Sequence, residues 1–124
     1  HEDCRRQRQM CIRDRPIITI STNVRHDLSQ FLSEILATFG LVLVIFLARE
    51  VARLNIPVIV GSYIASAYWF TSSTSFANPA VTIARQFSDT FTGISPSGIP
   101  SFVLAQIFGA ILGYIVVRWL FRGV

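Results

Sequence analysis

The fold of this chain is decided by the stretch Ser75-Phe76-Ala77-Asn78-Pro79-Ala80-Val81-Thr82-Ile83-Ala84-Arg85, which lies between the apolar segments 56–70 and 102–121. Asn accepts a backbone N–H at a helix start, and proline fits the first helical position, so we predict a helix that begins at Pro79 under an Asn78 cap. At membrane depth the unwound approach to this helix must line water or be buried in protein. Short helices entered in this way mark solute sites. The alternative, a capped surface helix, is disfavoured by the apolar flanks.

The composition indicates a membrane protein. Of the 124 residues, 52% are hydrophobic and 15% charged, and the mean hydropathy is +0.52. Segments of about 20 apolar residues span a bilayer, and we place spans at about 28–48, 56–70 and 101–121, of which the middle one is short. We therefore predict an all-α membrane protein with three transmembrane helices and one re-entrant half-helix at about 79–89.

Arginines indicate the orientation. Two follow the first span and two end the last one: Arg49 and Arg53, and Arg118 and Arg122. By the positive-inside rule, the end of the first span and the end of the last one then lie on the cytoplasmic side. The polar loop 72–100 then enters the membrane from outside.

Three motifs in order resemble one family. They are the Asn78-Pro79-Ala80 loop, Phe31-Leu32-Ser33-Glu34-Ile35-Leu36-Ala37-Thr38-Phe39-Gly40 and Ala105-Gln106-Ile107-Phe108-Gly109-Ala110-Ile111-Leu112-Gly113. They resemble the second Asn-Pro-Ala loop and the fourth and sixth helices of the major intrinsic proteins, the aquaporins and aquaglyceroporins. The resemblance covers about residues 30–122. It implies the second of two inverted repeats in a six-helix channel.

The resemblance also implies how solute passes. Asn78 would donate to a single file of water or small uncharged solutes at the midplane, with Pro79 and Ala80 as the packing wedge. A ladder of backbone carbonyls would precede it, from Ser73, Thr74, Ser75, Phe76 and Ala77. This is facilitated diffusion and not catalysis, and the sequence suggests no nucleophile, metal site or cofactor.

Glu34 is a carboxylate inside an apolar span, which costs about 2.5–3.5 kcal/mol on insertion scales. By resemblance it accepts hydrogen bonds from the backbone of the re-entrant loop and holds residues 73–77. The alternative is a position in the outer turn of the helix, wetted by headgroups.

The outer filter departs from the family's pattern. Most members have arginine directly after the second Asn-Pro-Ala, where this chain has Val81. Arg85 lies one helical turn further and is a candidate to replace part of that function; alternatively it pairs with Asp89 or reaches headgroups.

A second filter position comes from the middle span. A gap-free count from Asn78 gives Ser66, whereas aligning Gly61 with the family's glycine gives Tyr68; we prefer Ser66. A small Ser66 with Val81 suits uncharged solutes larger than water, such as glycerol or neutral metalloid hydroxides. The candidate filter residues are thus Ser66, Ser75, Val81 and Arg85.

Gly109 and Gly113 form a small-residue face that lets helices approach closely in lipid. We expect packing within the bundle rather than an oligomer contact.

Residues 1–15 are basic and precede the first span, so the predicted orientation would place them outside, against the positive-inside rule. We expect a non-native or disordered segment, native sequence from near Pro16, and an extracellular loop remnant at 16–27. Cys4 and Cys11 lie in the first segment and match no common zinc spacing, and its arginines lack the aromatic interleaving expected of a nucleic-acid site.

The expected whole is therefore a fragment that a missing first-repeat half would complete. Family members of this kind form homotetramers, and we expect a bacterial inner membrane. The alternative function is a non-conducting helical assembly or interaction subunit.

Overall fold

The computed structural model describes residues 18–25, 27–51 and 55–121, and all its regular elements within those ranges are helices. They are α1 (Leu28–Val51), α2 (Ile56–Phe70), α3 (Pro79–Arg85), a 3-10 turn (Pro96–Gly98) and α4 (Ile99–Leu120). The all-helical fold predicted from the sequence is confirmed. Among the described helices, α1 and α4 with its preceding turn are long and apolar enough to cross a membrane. Helix α2 has 15 residues, which is short of the about 20 that a span needs.

Helices α1 and α4 form the main packing contact, and glycine permits it. A Cβ atom on Gly109 would overlap the carbonyl oxygen of Ile35, and one on Gly113 would lie 2.9 Å from Cβ of Val42. At both glycines the backbone of α4 therefore lies directly against the backbone or Cβ atoms of α1. The small-residue face thus packs within the bundle. Helix α2 is tied to α1 by the Tyr63 hydroxyl, which donates to the carbonyl of Ala37 at 2.8 Å.

The interior is small and lies at one end of the bundle. Phe76, Ile94 and Phe102 form the buried apolar cluster, with the rings of Phe76 and Phe102 5.5 Å apart. We call the end of the bundle that holds this cluster the outer end. Helices α1 and α4 begin there, and α2 ends there. Many large apolar side chains on the helices are exposed, including Leu36, Phe108 and Trp119. Such a surface suits lipid or further helices.

Helix α3 ends at Arg85 and is shorter than the predicted 79–89. The carbonyls of Gln86 and Phe87 accept from the backbone N–H groups of Ser21 and Thr19, at 2.8 and 3.2 Å. The described part of the segment before α1 thus runs along the chain that follows α3 and takes acceptors that a longer helix would use.

The predictions for residues 1–15, with both cysteines, and for Arg53 and Arg122 lie outside the described residues.

Candidate functional site

The segment 73–77, between α2 and α3, has a backbone that residues with side chains rarely adopt. Thr74, Ser75 and Ala77 have φ of 63°, 50° and 48°, in the left-handed region. That region costs an ordinary residue about 1–2 kcal/mol. The carbonyl oxygens of residues 74–77 accept no hydrogen bond from any part of the chain that the structure describes. The segment therefore offers a row of available acceptors and needs support from outside itself.

Glu34 gives that support from α1. Its side chain is fully buried. One carboxylate oxygen accepts from the Ser73 hydroxyl at 2.7 Å and from the Phe76 N–H at 2.9 Å. The other accepts from the Ala77 N–H at 3.0 Å and from the side-chain amide of Gln106 at 2.8 Å. Because an ionised carboxylate only accepts, four donors suit it and fix the loop's backbone on one side. A wetted position in the outer turn, the alternative expectation, does not agree with this burial.

Gln106 extends the network from α4 to α3. Its amide nitrogen also donates to the Thr82 hydroxyl at 2.8 Å, and that hydroxyl donates to the carbonyl of Asn78 at 3.0 Å. Gln106 and Thr82 are both buried. The network thus joins α1, α3 and α4 at the point where α3 begins. Sequence reasoning did not select Gln106 as a site residue. A polar residue inside an apolar span is the signal that could have identified it.

Asn78 caps α3 as its sequence predicts. Its side-chain oxygen accepts from the Ala80 N–H at 2.8 Å, and Pro79 occupies the first helical position. The side-chain NH₂ of Asn78 donates to no described residue, and the residue is exposed, as are Pro79, Ala80 and Val81. The donor of Asn78 is therefore available next to the row of free carbonyls.

Arg25 also supports the segment 73–77. It lies in the described chain just before α1. It is only 7% exposed. Its Nε donates to the carbonyl of Gly93 at 2.9 Å, Nη1 to that of Ser73 at 3.1 Å and Nη2 to that of Phe91 at 2.8 Å. Burial lowers the pKa of Arg25 from its ordinary value, and the carboxylate of Glu34 opposes that shift. Sequence reasoning missed this residue.

Arg85 lies at the end of α3 and donates to the Thr92 hydroxyl. Its guanidinium carbon is 6.0 Å from the centre of the Phe76 ring, and that of Arg25 is 5.5 Å from the same ring, both within cation–π range. Asp89 accepts instead from the backbone N–H and hydroxyl of Thr22, at 3.2 and 3.3 Å. The ion pair between Arg85 and Asp89, one of the alternatives from the sequence, is not formed.

Comparison with known proteins decides the family. No family model matches the chain, and no solved structure matches it. Over 109 residues it is 48% identical to the aquaglyceroporin AqpS of Rhizobium meliloti (strain 1021), across 88% of this chain and 47% of that protein. The chain belongs to the major intrinsic protein superfamily. It is a partial relative that spans about half the length of the curated protein it matches, and aquaglyceroporins are channels rather than enzymes.

In this major intrinsic protein, the candidate filter residues lie on different elements. Ser66, on α2, donates its hydroxyl to the carbonyl of Ser62 at 2.8 Å. Ser75 is buried in the segment 73–77, and its hydroxyl has no partner among the described residues. Val81 is exposed in the first turn of α3. Tyr68, the alternative to Ser66, is also exposed, and its ring meets that of Trp69 edge-on at 6.0 Å.

A polar cavity of about 510 Å³ opens at the outer end. It brings the segment before α1 together with the loop that precedes α3 and the chain that follows it. Arg25, Ser72, Thr74 and Asp89 are among the residues that line it. The free carbonyl row therefore begins beside a cavity that solvent can enter.

Proposed function

We propose that this chain is one repeat of a passive channel for water or small uncharged solutes, with Asn78 at the middle of the path. The observation that carries the proposal is the row of available hydrogen-bond groups from Thr74 to Asn78. Four carbonyl acceptors are followed by one side-chain donor, and none is used by the described chain. A neutral solute that leaves bulk water needs such substitute partners along its path. Flow down a gradient needs no reacting group.

The other residues of the path act through position. In this proposal Glu34 holds the carbonyl row, and Pro79 and Ala80 pack the start of α3 against the opposite repeat. Val81 leaves the outer filter without the family's usual arginine. With a small Ser66 it favours uncharged solutes larger than water, such as glycerol or neutral metalloid hydroxides. Ser75 and Arg85 complete the proposed filter, with Arg85 nearer the outside.

The proposed assembly pairs this chain with a first-repeat half. The exposure of Asn78, Pro79, Ala80 and Val81 on this chain supports a surface that another repeat covers. The completed unit would form a homotetramer in a bacterial inner membrane, with one path in each subunit.

Flux through reconstituted vesicles tests the proposal. The chain is co-expressed with the N-terminal repeat of AqpS, and the co-purified complex is placed in proteoliposomes. Stopped-flow light scattering then compares water and glycerol permeability with that of vesicles holding either part alone. We expect flux only from the complex, and loss of that flux in Asn78→Leu, which removes the donor at similar size.

A stable complex with no flux above that of empty vesicles would contradict the channel. It would favour the non-conducting assembly subunit instead.

A further inference from the structure

We propose that Arg25 supplies the guanidinium of the outer filter, from the segment before α1, in place of the arginine that is absent at Val81. In this role Arg25 selects uncharged solutes that carry acceptor oxygens, and it excludes cations. The inference rests on the proposed function, because a filter requires a path.

The position of Arg25 supports this role. Its Nη1 donates to the carbonyl of Ser73, directly before the four free carbonyls. It also lines the outer cavity beside Ser72 and Thr74, so it lies where the carbonyl row meets solvent. Arg85 is not among the residues that line this cavity. Of the two arginines near Phe76, Arg25 is the one at the entrance.

The hydrogen bonds of Arg25 leave it able to bind solute. A guanidinium has five N–H groups, and three of them are held by the carbonyls of Ser73, Phe91 and Gly93, so two remain. Three anchors on two separate segments fix the planar group in place. Fixed donors of this kind bind the oxygen of a passing hydroxyl or carbonyl group.

In this proposal the positive charge of Arg25 excludes cations from the path. Arginine stays protonated in proteins, and a charge that is 7% exposed is screened less than a surface charge. Asp89 lines the same cavity, but it is exposed and its carboxylate already accepts from Thr22. Glu34 is also charged and buried and acts on Arg25, but it does not line the cavity, whereas Arg25 does. Arg25 is therefore the buried charge on the cavity wall.

A cysteine probe measures that field without any flux. In a Cys4→Ser/Cys11→Ser background, Ser72→Cys places a thiol of similar size on an exposed position of the cavity wall. The co-purified complex is treated with an anionic and with a cationic methanethiosulfonate, and the ratio of the two rates is recorded. We expect the anion-to-cation ratio to exceed that of free cysteine. Part of the excess should persist in 1 M salt, because a buried charge is screened less than a surface charge.

Substitution of Arg25 then tests whether this residue is the source of the electrostatic field at Ser72→Cys. Arg25→Gln should lower the anion-to-cation ratio about tenfold, by the Coulomb energy of one poorly screened charge. Arg25→Lys should keep the ratio, since it keeps the charge. Arg118→Gln, at the far end of α4, is the control and should leave it unchanged. Two results would overturn the proposal. One is an anion-to-cation ratio equal to that of free cysteine while Arg25 is present, and the other is a ratio that Arg25→Gln does not change.

Flux separates this inference from the channel itself. In the complex with the AqpS repeat, Arg25→Gln should raise methylammonium permeability relative to glycerol, and adding Val81→Arg should reverse the increase. Glycerol flux with unchanged cation exclusion in Arg25→Gln overturns the role of Arg25 alone. Absence of any glycerol flux before substitution overturns the channel, and with it a filter of any composition.

Discussion

Among single residues, Glu34 has the most demanding surroundings. Its two carboxylate oxygens each accept two hydrogen bonds, and three of the four donors belong to the segment 73–77. A buried charge is tolerated in an apolar helix only when such partners replace its hydration. The left-handed residues Thr74, Ser75 and Ala77 depend on this, because nothing in their own preference keeps them in that conformation.

Glu34→Gln should loosen the segment 73–77 while leaving α1 intact. The new NH₂ group must face either the Phe76 N–H or the Ala77 N–H, and the backbone N–H that it faces loses its acceptor. Each charge-assisted bond is worth about 1.5–3 kcal/mol, so we expect the amide of Phe76 or that of Ala77 to exchange about 10- to 100-fold faster. Hydrogen–deuterium exchange with mass spectrometry measures this.

Glu50→Gln is the matched control, since Glu50 is exposed in the last turn of the same helix. Equal protection of Phe76 and Ala77 in Glu34→Gln and in the unsubstituted chain would contradict the anchoring role.

The two charged supports of this segment differ in how far sequence reveals them. Glu34 stands out as a charge inside an apolar run, so it could be identified from local sequence. Arg25 lies in a polar segment where an arginine is ordinary, and its three acceptors are 48 to 68 residues away. Only folding brings those carbonyls to it.

Among the helices, the contact between α1 and α4 holds the bundle together. Gly109 and Gly113 let the two backbones approach, and in lipid such close packing replaces the hydrophobic drive that water would provide. The small-residue spacing predicted a close contact, and the structure identifies α1 as the partner.

Gly109→Ala should destabilise the bundle. The added methyl group would overlap the carbonyl oxygen of Ile35, and relief requires α1 and α4 to move apart. Overpacking of this kind costs about 1–3 kcal/mol, so we expect a lower Tm in detergent by circular dichroism.

Gly61→Ala on α2 provides the comparison. Nothing lies within 4 Å of a Cβ there, so this change should stabilise the helix by about 0.5–1 kcal/mol. If both variants lowered Tm equally, the contact between α1 and α4 would not be the cause.

The length of α3 shows where helix signals stop being sufficient. Its start is fixed locally by Asn78 and Pro79. Its end is fixed by distant residues, because the backbone of Thr19 and Ser21 takes the carbonyls that follow it. A local reading therefore placed the beginning correctly and extended the helix too far.

At the scale of the whole molecule, the chain leaves much apolar surface uncovered. Val81 and its neighbours at the start of α3 are exposed together with large side chains on the long helices. In the proposed assembly a first-repeat half covers the α3 face, and lipid covers the rest.

Thiol labelling should detect that covering. In the background without Cys4 and Cys11, we expect Val81→Cys to react with N-ethylmaleimide more slowly when the N-terminal repeat of AqpS is present. Val51→Cys, at the exposed end of α1, should react equally with and without it. Equal labelling of Val81→Cys in both states would contradict the proposed pairing of repeats.

The sequence by itself determined the membrane class, the helical fold and the start of α3, because apolar length, residue spacing and helix capping act over a few residues. The resemblance of its motifs also predicted the family. Tertiary structure decided the partner of the glycine face, the end of α3 and the support of the segment 73–77 by Gln106 and Arg25. Those features depend on hydrogen bonds between groups far apart in the chain, which no local pattern encodes.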